Sequence, residues 1–142
     1  MRTALVLPPR TTVVNIRFDE YDQYIGRAGH GHDGYFGNKY RGSTLGGGVA
    51  GRNEAIARFK HEFMCRIAQD IEFSQRVVSL RGKRLGCFCK EPLEKVGRVD
   101  IPCHGDVYVE FLDGLKCEVC AGDAYYVAEG ESTVFLCAEC AA

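Results

Sequence analysis

The 142-residue sequence has no apolar run near the roughly 20 residues that a membrane-spanning helix needs. It has no tryptophan, an absence without functional content. No Gly-Lys-Ser/Thr follows its glycine-rich stretch, which excludes a Walker phosphate loop. There are no internal repeats and no low-complexity tract beyond that stretch. The opening segment is short and is broken by Pro8 and Pro9, so it does not read as a secretory signal. The expectation is a soluble, cytoplasmic protein. Residues 117–142 lack lysine and arginine altogether and carry five acidic residues. Nucleic-acid affinity rests on cations that neutralise phosphates, so this end is a poor phosphate grip.

What is present is globular in character, at 46% hydrophobic and 26% charged residues. Basic residues are concentrated early, with nine Lys or Arg against five Asp or Glu in residues 1–60. Any nucleotide or nucleic acid should therefore bind through residues 1–60, and a basic protein partner would suit the acidic end better.

Eight cysteines without an export signal point to metal rather than disulfides. Cys117-x-x-Cys120 and Cys137-x-x-Cys140 are separated by sixteen residues. Between them lie two strand-like stretches, 124–127 and 133–136, around a Glu129-Gly130-Glu131 turn. Two knuckles flanking a hairpin make a zinc ribbon, and four thiolates suit a closed tetrahedral zinc that folds the module.

The remaining elements read as follows. Residues 1–11 form a leader, 12–113 an α/β domain and 114–142 the ribbon. Residues 12–17 are β-branched and strand-like, and 24–27 suggest a second short strand. Residues 28–51 read as a long loop rich in Gly, His and Asn. A helix capped by Asn53 follows, with Ile56, Phe59, Phe63 and Ile67 on one stripe, fading near residues 69–72. Residues 84–89 read as a buried strand. Val107, Val109 and Phe111 alternate as in a strand, although a helix starting after His104 also fits.

Cys87, Cys89, Cys103, His104 and Asp106 form a second constellation with three readings: buried core, a second metal site, or a ligand or active site at a helix start. In the last, Cys103, His104 and Asp106 would be catalytic, and His104 could transfer protons near neutral pH. Arg17, Arg27 and Asn38 would hold phosphate, sugar or base. His30 and His32 read as solvated loop histidines, and Tyr35, Phe36 and Tyr40 as loop anchors.

The motifs Val14-Asn15-Ile16-Arg17, Tyr24-Ile25-Gly26-Arg27, Gly37-Asn38, Leu85-Gly86-Cys87-Phe88-Cys89 and Pro102-Cys103-His104-Gly105-Asp106 occur in that order. This set resembles a domain-of-unknown-function family of small phage and bacterial proteins. Lys39 stands where that family usually has proline, the link 91–101 is longer than usual, and the ribbon is an addition. The resemblance implies an α/β domain in which residues 106–112 are helical, in a bacterial or phage-infected cytoplasm. It implies no reaction. The functional expectation is a protein that binds or acts on nucleotides or nucleic acid; the alternative is an adaptor docking on a host or phage protein complex.

Overall fold

The computed structural model describes residues 10–29, 31–97, 101–116, 126–128 and 134–136. The chain order is β1 (Thr12–Asn15), β2 (Gln23–Tyr24), a 3-10 turn (Gly42–Leu45), α1 (Gly48–Gln69), α2 (Ile71–Val78), β3 (Arg84–Cys87), α3 (Gly105–Asp113), β4 (Tyr126–Ala128) and β5 (Val134–Leu136). The fold is α/β. β3 lies in the middle of a three-stranded sheet and runs parallel to both β1 and β2. β4 and β5 form a separate antiparallel pair with Val127 opposite Phe135. Among the described residues no helix is long and apolar enough to cross a membrane.

The register sets which side chains share a face. Val13 pairs with Leu85 and Asn15 with Cys87, so these four point the same way. Val13, Leu85 and Cys87 join a core made with Phe59, Phe63 and Ile67 of α1, Phe73 and Val77 of α2, and Tyr108 and Leu112 of α3. Full burial of a side chain such as Phe63 contributes roughly 1.5–3 kcal/mol. Gly86 faces the opposite way, where a side chain would run into Ile16 and Tyr21 of the β1–β2 connection.

α1 starts five residues before Asn53, so Asn53 is an interior helical residue rather than its cap. Gly46, Gly47 and Gly48 all have positive φ (103°, 69° and 62°), a run that only glycines adopt cheaply and that turns the chain into the helix. α1 stops at Asp70, whose backbone is extended and whose side chain accepts the Phe73 N–H to cap α2. α2 was not evident in the sequence as a separate helix. Residues 106–112 are helical, as the family resemblance implies, and not a strand.

Residues 31–47 are held by side chains rather than left loose. The buried Tyr108 hydroxyl donates to the Phe36 carbonyl at 2.8 Å. Asn38 donates to the Ala55 carbonyl of α1 and accepts the Tyr40 N–H. His32 stacks on Tyr24 with ring centroids 3.9 Å apart.

Candidate functional site: a cavity at the carboxyl ends of the strands

Ligand sites in open parallel sheets lie beyond the carboxyl ends of the strands, and a cavity of this chain lies there. It is about 820 Å³ in volume. Its wall is built from Tyr24 to Ala28 after β2, the 38–43 segment, the first turns of α1, Cys87 to Cys89 at the end of β3, and Pro102 to His104 at the start of α3. Gly42 and Gly51 make this closure possible. A Cβ at Gly51 would strike the Gly42 carbonyl, so the loop rests directly on the α1 backbone.

Arg27, Arg41 and Arg52 line the cavity, and among the described residues no Asp or Glu does. Arg27 also braces the wall, because its Nε donates to the Asn38 carbonyl and its Nη2 to the Tyr40 carbonyl, both at 2.8 Å. The first turn of α1 has no side-chain cap and no acidic residue. Its amide groups and the arginines put positive charge on this side of the cavity.

On the floor sit three thiols. The ligand atoms of Cys87, Cys89 and Cys103 all lie within 4.8 Å of one another, and the Cys87 and Cys103 sulfurs are 4.0 Å apart. Cys87 and Cys103 are buried, while Cys89 is exposed. The Cys89 N–H donates to the Cys87 sulfur at 3.5 Å. Contact with the Cys103 and then the Cys87 thiol, aided by the charge of Arg52, holds the Cys89 thiol far below its ordinary value. The same contacts push Cys103 upward.

Asn15 positions the cysteine segment. Its amide donates to the Phe88 carbonyl at 3.3 Å and to the Lys90 carbonyl at 2.8 Å. Asp106 positions the other half by accepting the Cys103 N–H at 3.0 Å and pairing with the buried Lys90. Lys90 also donates to the Ile101 carbonyl, so one ammonium ties the end of β3 to the start of α3.

His104 is 8% exposed and lies against the Ile25 carbonyl at 2.6 Å through Nε2. A carbonyl only accepts, so Nε2 carries the proton and Nδ1 of the neutral ring keeps its lone pair. Burial lowers the His104 pKa from its ordinary value, which favours that neutral form.

The expected site residues divide accordingly. Arg27, Asn38, Cys87, Cys89, Cys103 and His104 meet at one cavity. Arg17 does not line it. Its guanidinium stands 5.0 Å from the Phe88 ring centroid, and it lines a separate shallow groove with Asp19, Glu20 and Arg84. The physical reason is that the Arg17 N–H is taken by the Asn15 side chain just past β1, which turns the chain away. Asp106 does not line the cavity either, because Lys90 and the Cys103 amide engage its carboxylate. The Asn38 side chain is buried and engaged in holding the loop. Arg41 and Arg52 were not singled out in the sequence; their positions flanking the Gly42–Gly51 contact were the only signal. Cys117, Cys120, Cys137, Cys140 and His30 lie outside the described residues. Of the hairpin expected between the two cysteine pairs, the described residues show the antiparallel pairing of β4 with β5.

Comparison with known proteins gives a family but no activity. The chain is 34% identical over 103 residues to an uncharacterized 12.4 kDa protein in the nrdA-td intergenic region of Enterobacteria phage T4, covering 72% of this chain and 78% of the phage protein. No solved structure matches. Residues 11–114 match the family described as domain of unknown function (DUF4326), which takes in β1 through α3 and the whole cavity. On that match the chain belongs to the DUF4326 family.

Proposed function

We propose that the protein binds a nucleotide, free or at the end of a nucleic-acid strand, in the cavity at the carboxyl ends of the strands. The observation that carries this reading is the trio Arg27, Arg41 and Arg52 on a wall to which no described residue brings a carboxylate. Like charges brought together without compensation repel, and a phosphate relieves that repulsion through charge-assisted hydrogen bonds. The uncapped first turn of α1 favours the same ligand. A volume of about 820 Å³ lies within the range of small-molecule sites. Tyr24, Tyr40 and Phe88 on the wall offer ring faces for a base.

In this reading Arg27 both shapes the wall and contacts the phosphate, and Asn38 shapes it only. Cys89 and His104 face the ligand from the floor. His104, neutral with a free Nδ1, is the group suited to accept a proton from it. Asp106 and Cys103 act as positioning residues. The four cysteines Cys117, Cys120, Cys137 and Cys140 would hold one zinc ion, and the β4–β5 pairing supports the hairpin such a ribbon needs.

Calorimetric titration of the full chain with inorganic phosphate and with nucleoside mono-, di- and triphosphates tests the reading. Nucleotides are expected to bind more tightly than phosphate, with affinity falling as salt rises. Arg52→Ala is the informative variant, because Arg52 has no hydrogen bond or ion pair among the described residues. Its affinity should fall about tenfold, equivalent to about 1.4 kcal/mol. If neither phosphate nor any nucleotide binds the folded chain, the reading fails, and docking of acidic residues 117–142 on a basic protein becomes the leading function.

A further inference from the structure

The three thiols on the cavity floor call for an explanation that core packing does not supply. Burial accounts for Cys87 and Cys103, but Cys89 is exposed and still turns its sulfur toward the other two. From this arrangement we infer that Cys87, Cys89 and Cys103 bind one thiophilic metal ion, of the zinc class, with its fourth coordination position open to the arginine-lined cavity.

The distances favour a single ion. Zinc–sulfur bonds of about 2.3 Å in a tetrahedron place the sulfurs about 3.8 Å apart. The Cys87 and Cys103 sulfurs are 4.0 Å apart, and no ligand atom in the trio is beyond 4.8 Å from another. A multi-iron cluster would hold its thiolates farther apart than this. The supports are also those of a metal site. Cys87 ends a strand hydrogen-bonded on both sides, and Cys103 directly precedes the first residue of the α3 turn, fixed by the Asp106 carboxylate. The Cys89 amide donates to the Cys87 sulfur, the kind of outer contact that steadies a thiolate ligand.

Charge and access agree as well. Three thiolates and a dication carry one net negative charge, and Arg52 on the cavity wall supplies a positive charge to offset it. His104 is not part of the trio, because neither of its ring nitrogens belongs to the group of ligand atoms that lie within 4.8 Å of one another. Among the described residues the chain therefore offers three ligands where a closed structural site has four, and all three line the cavity. An oxygen of a bound phosphate or a water would complete the tetrahedron. The metal itself does not depend on the nucleotide reading; only the occupant of the open position does.

The test uses the full chain, purified with reductant. Metal content per chain is measured for wild type, Cys89→Ala and Cys103→Ser. Cys89 is exposed, so its alanine variant is expected to fold, and circular dichroism checks this. Each variant should carry one metal ion fewer than wild type. In cobalt-loaded protein, wild type should show a change in the visible spectrum on addition of inorganic phosphate that Cys89→Ala lacks. A ribbon ion with four protein ligands would not respond. Equal metal content in wild type and folded Cys89→Ala overturns the site. A Cys87–Cys103 disulfide in the reduced preparation does the same. A cobalt spectrum indifferent to phosphate overturns the open position, while the Arg52 titration separately judges the nucleotide reading.

Discussion

Arginines on two surfaces of this chain are treated in opposite ways. Arg84, at the start of β3, lies against Asp22 at 3.3 Å and Glu20 at 3.4 Å, and Asp22 also accepts its backbone N–H. Its charge is answered within the chain, on an exposed surface where such pairs contribute little. Arg41 and Arg52, beyond the other end of the strand, have no carboxylate partner among the described residues. The same residue type thus closes a surface in one place and leaves an unanswered field in another. The lesson is that an arginine's pairing, more than its presence, separates a solvated face from a ligand wall.

The comparison can be broken most forcefully by removing the unpaired charges. Arg41→Ala with Arg52→Ala should weaken nucleotide binding about a hundredfold, or about 2.7 kcal/mol, if the two act independently. Arg17→Ala, on the shallow groove, should change it less than about twofold. Equal losses in both would erase the distinction between the surfaces.

A smaller effect separates two glycines. Gly51→Ala pushes a methyl group onto the Gly42 carbonyl, and Gly86→Ala pushes one onto Ile16 and Tyr21. Both should cost about 1–3 kcal/mol in denaturant unfolding, the usual range for overpacking. Only Gly51→Ala should also weaken nucleotide binding, because only that methyl displaces the cavity wall.

The smallest effect lies in the answered pair. The Arg84 side chain and backbone hold the Asp22 carboxyl below its ordinary value of 3.8. A depressed carboxyl pKa contributes stability that is present above the unfolded value and is lost as pH falls through the folded one. Asp22→Asn should therefore be slightly less stable than wild type near neutrality and indistinguishable from it in strong acid. Thermal unfolding across the pH range checks this, and a difference that grows toward acid would reverse the assignment.

Much of the scaffold was legible. The stripe Ile56, Phe59, Phe63 and Ile67 marked α1, because burial of one face recurs at helical spacing. Its true start was hidden, since Gly46, Gly47 and Gly48 carry no apolar period and act only through backbone conformation. α2 was obscured by its eight-residue length, although Asp70 before Phe73 and Val77 was a cap followed by a four-residue spacing. The alternation of Val107, Val109 and Phe111 imitated a strand, but the buried residues of α3 include Val107, Tyr108 and Leu112, one face of a helix. At the site, the sequence brought the cysteines to notice but not their convergence. Cys89 and Cys103 are joined by a connection whose path no periodicity specifies. Arg41 and Arg52 were illegible for a related reason, since only the close approach of Gly42 to Gly51 brings them to the strand ends.

The central position of β3 also has a consequence for the order in which the protein can assemble. β1 and β2 emerge first during synthesis, yet neither pairs with the other; both wait for a strand whose residues Arg84 to Cys87 come some seventy positions after Thr12. Closing so long a segment before any sheet hydrogen bond forms is entropically costly and slows folding. The helices can form early from local contacts, but the sheet cannot exist in part. Cys87 arrives with its last strand, and Cys103 and His104 arrive later still. The pocket is therefore complete only after the start of α3 has emerged, well after the sheet that carries it.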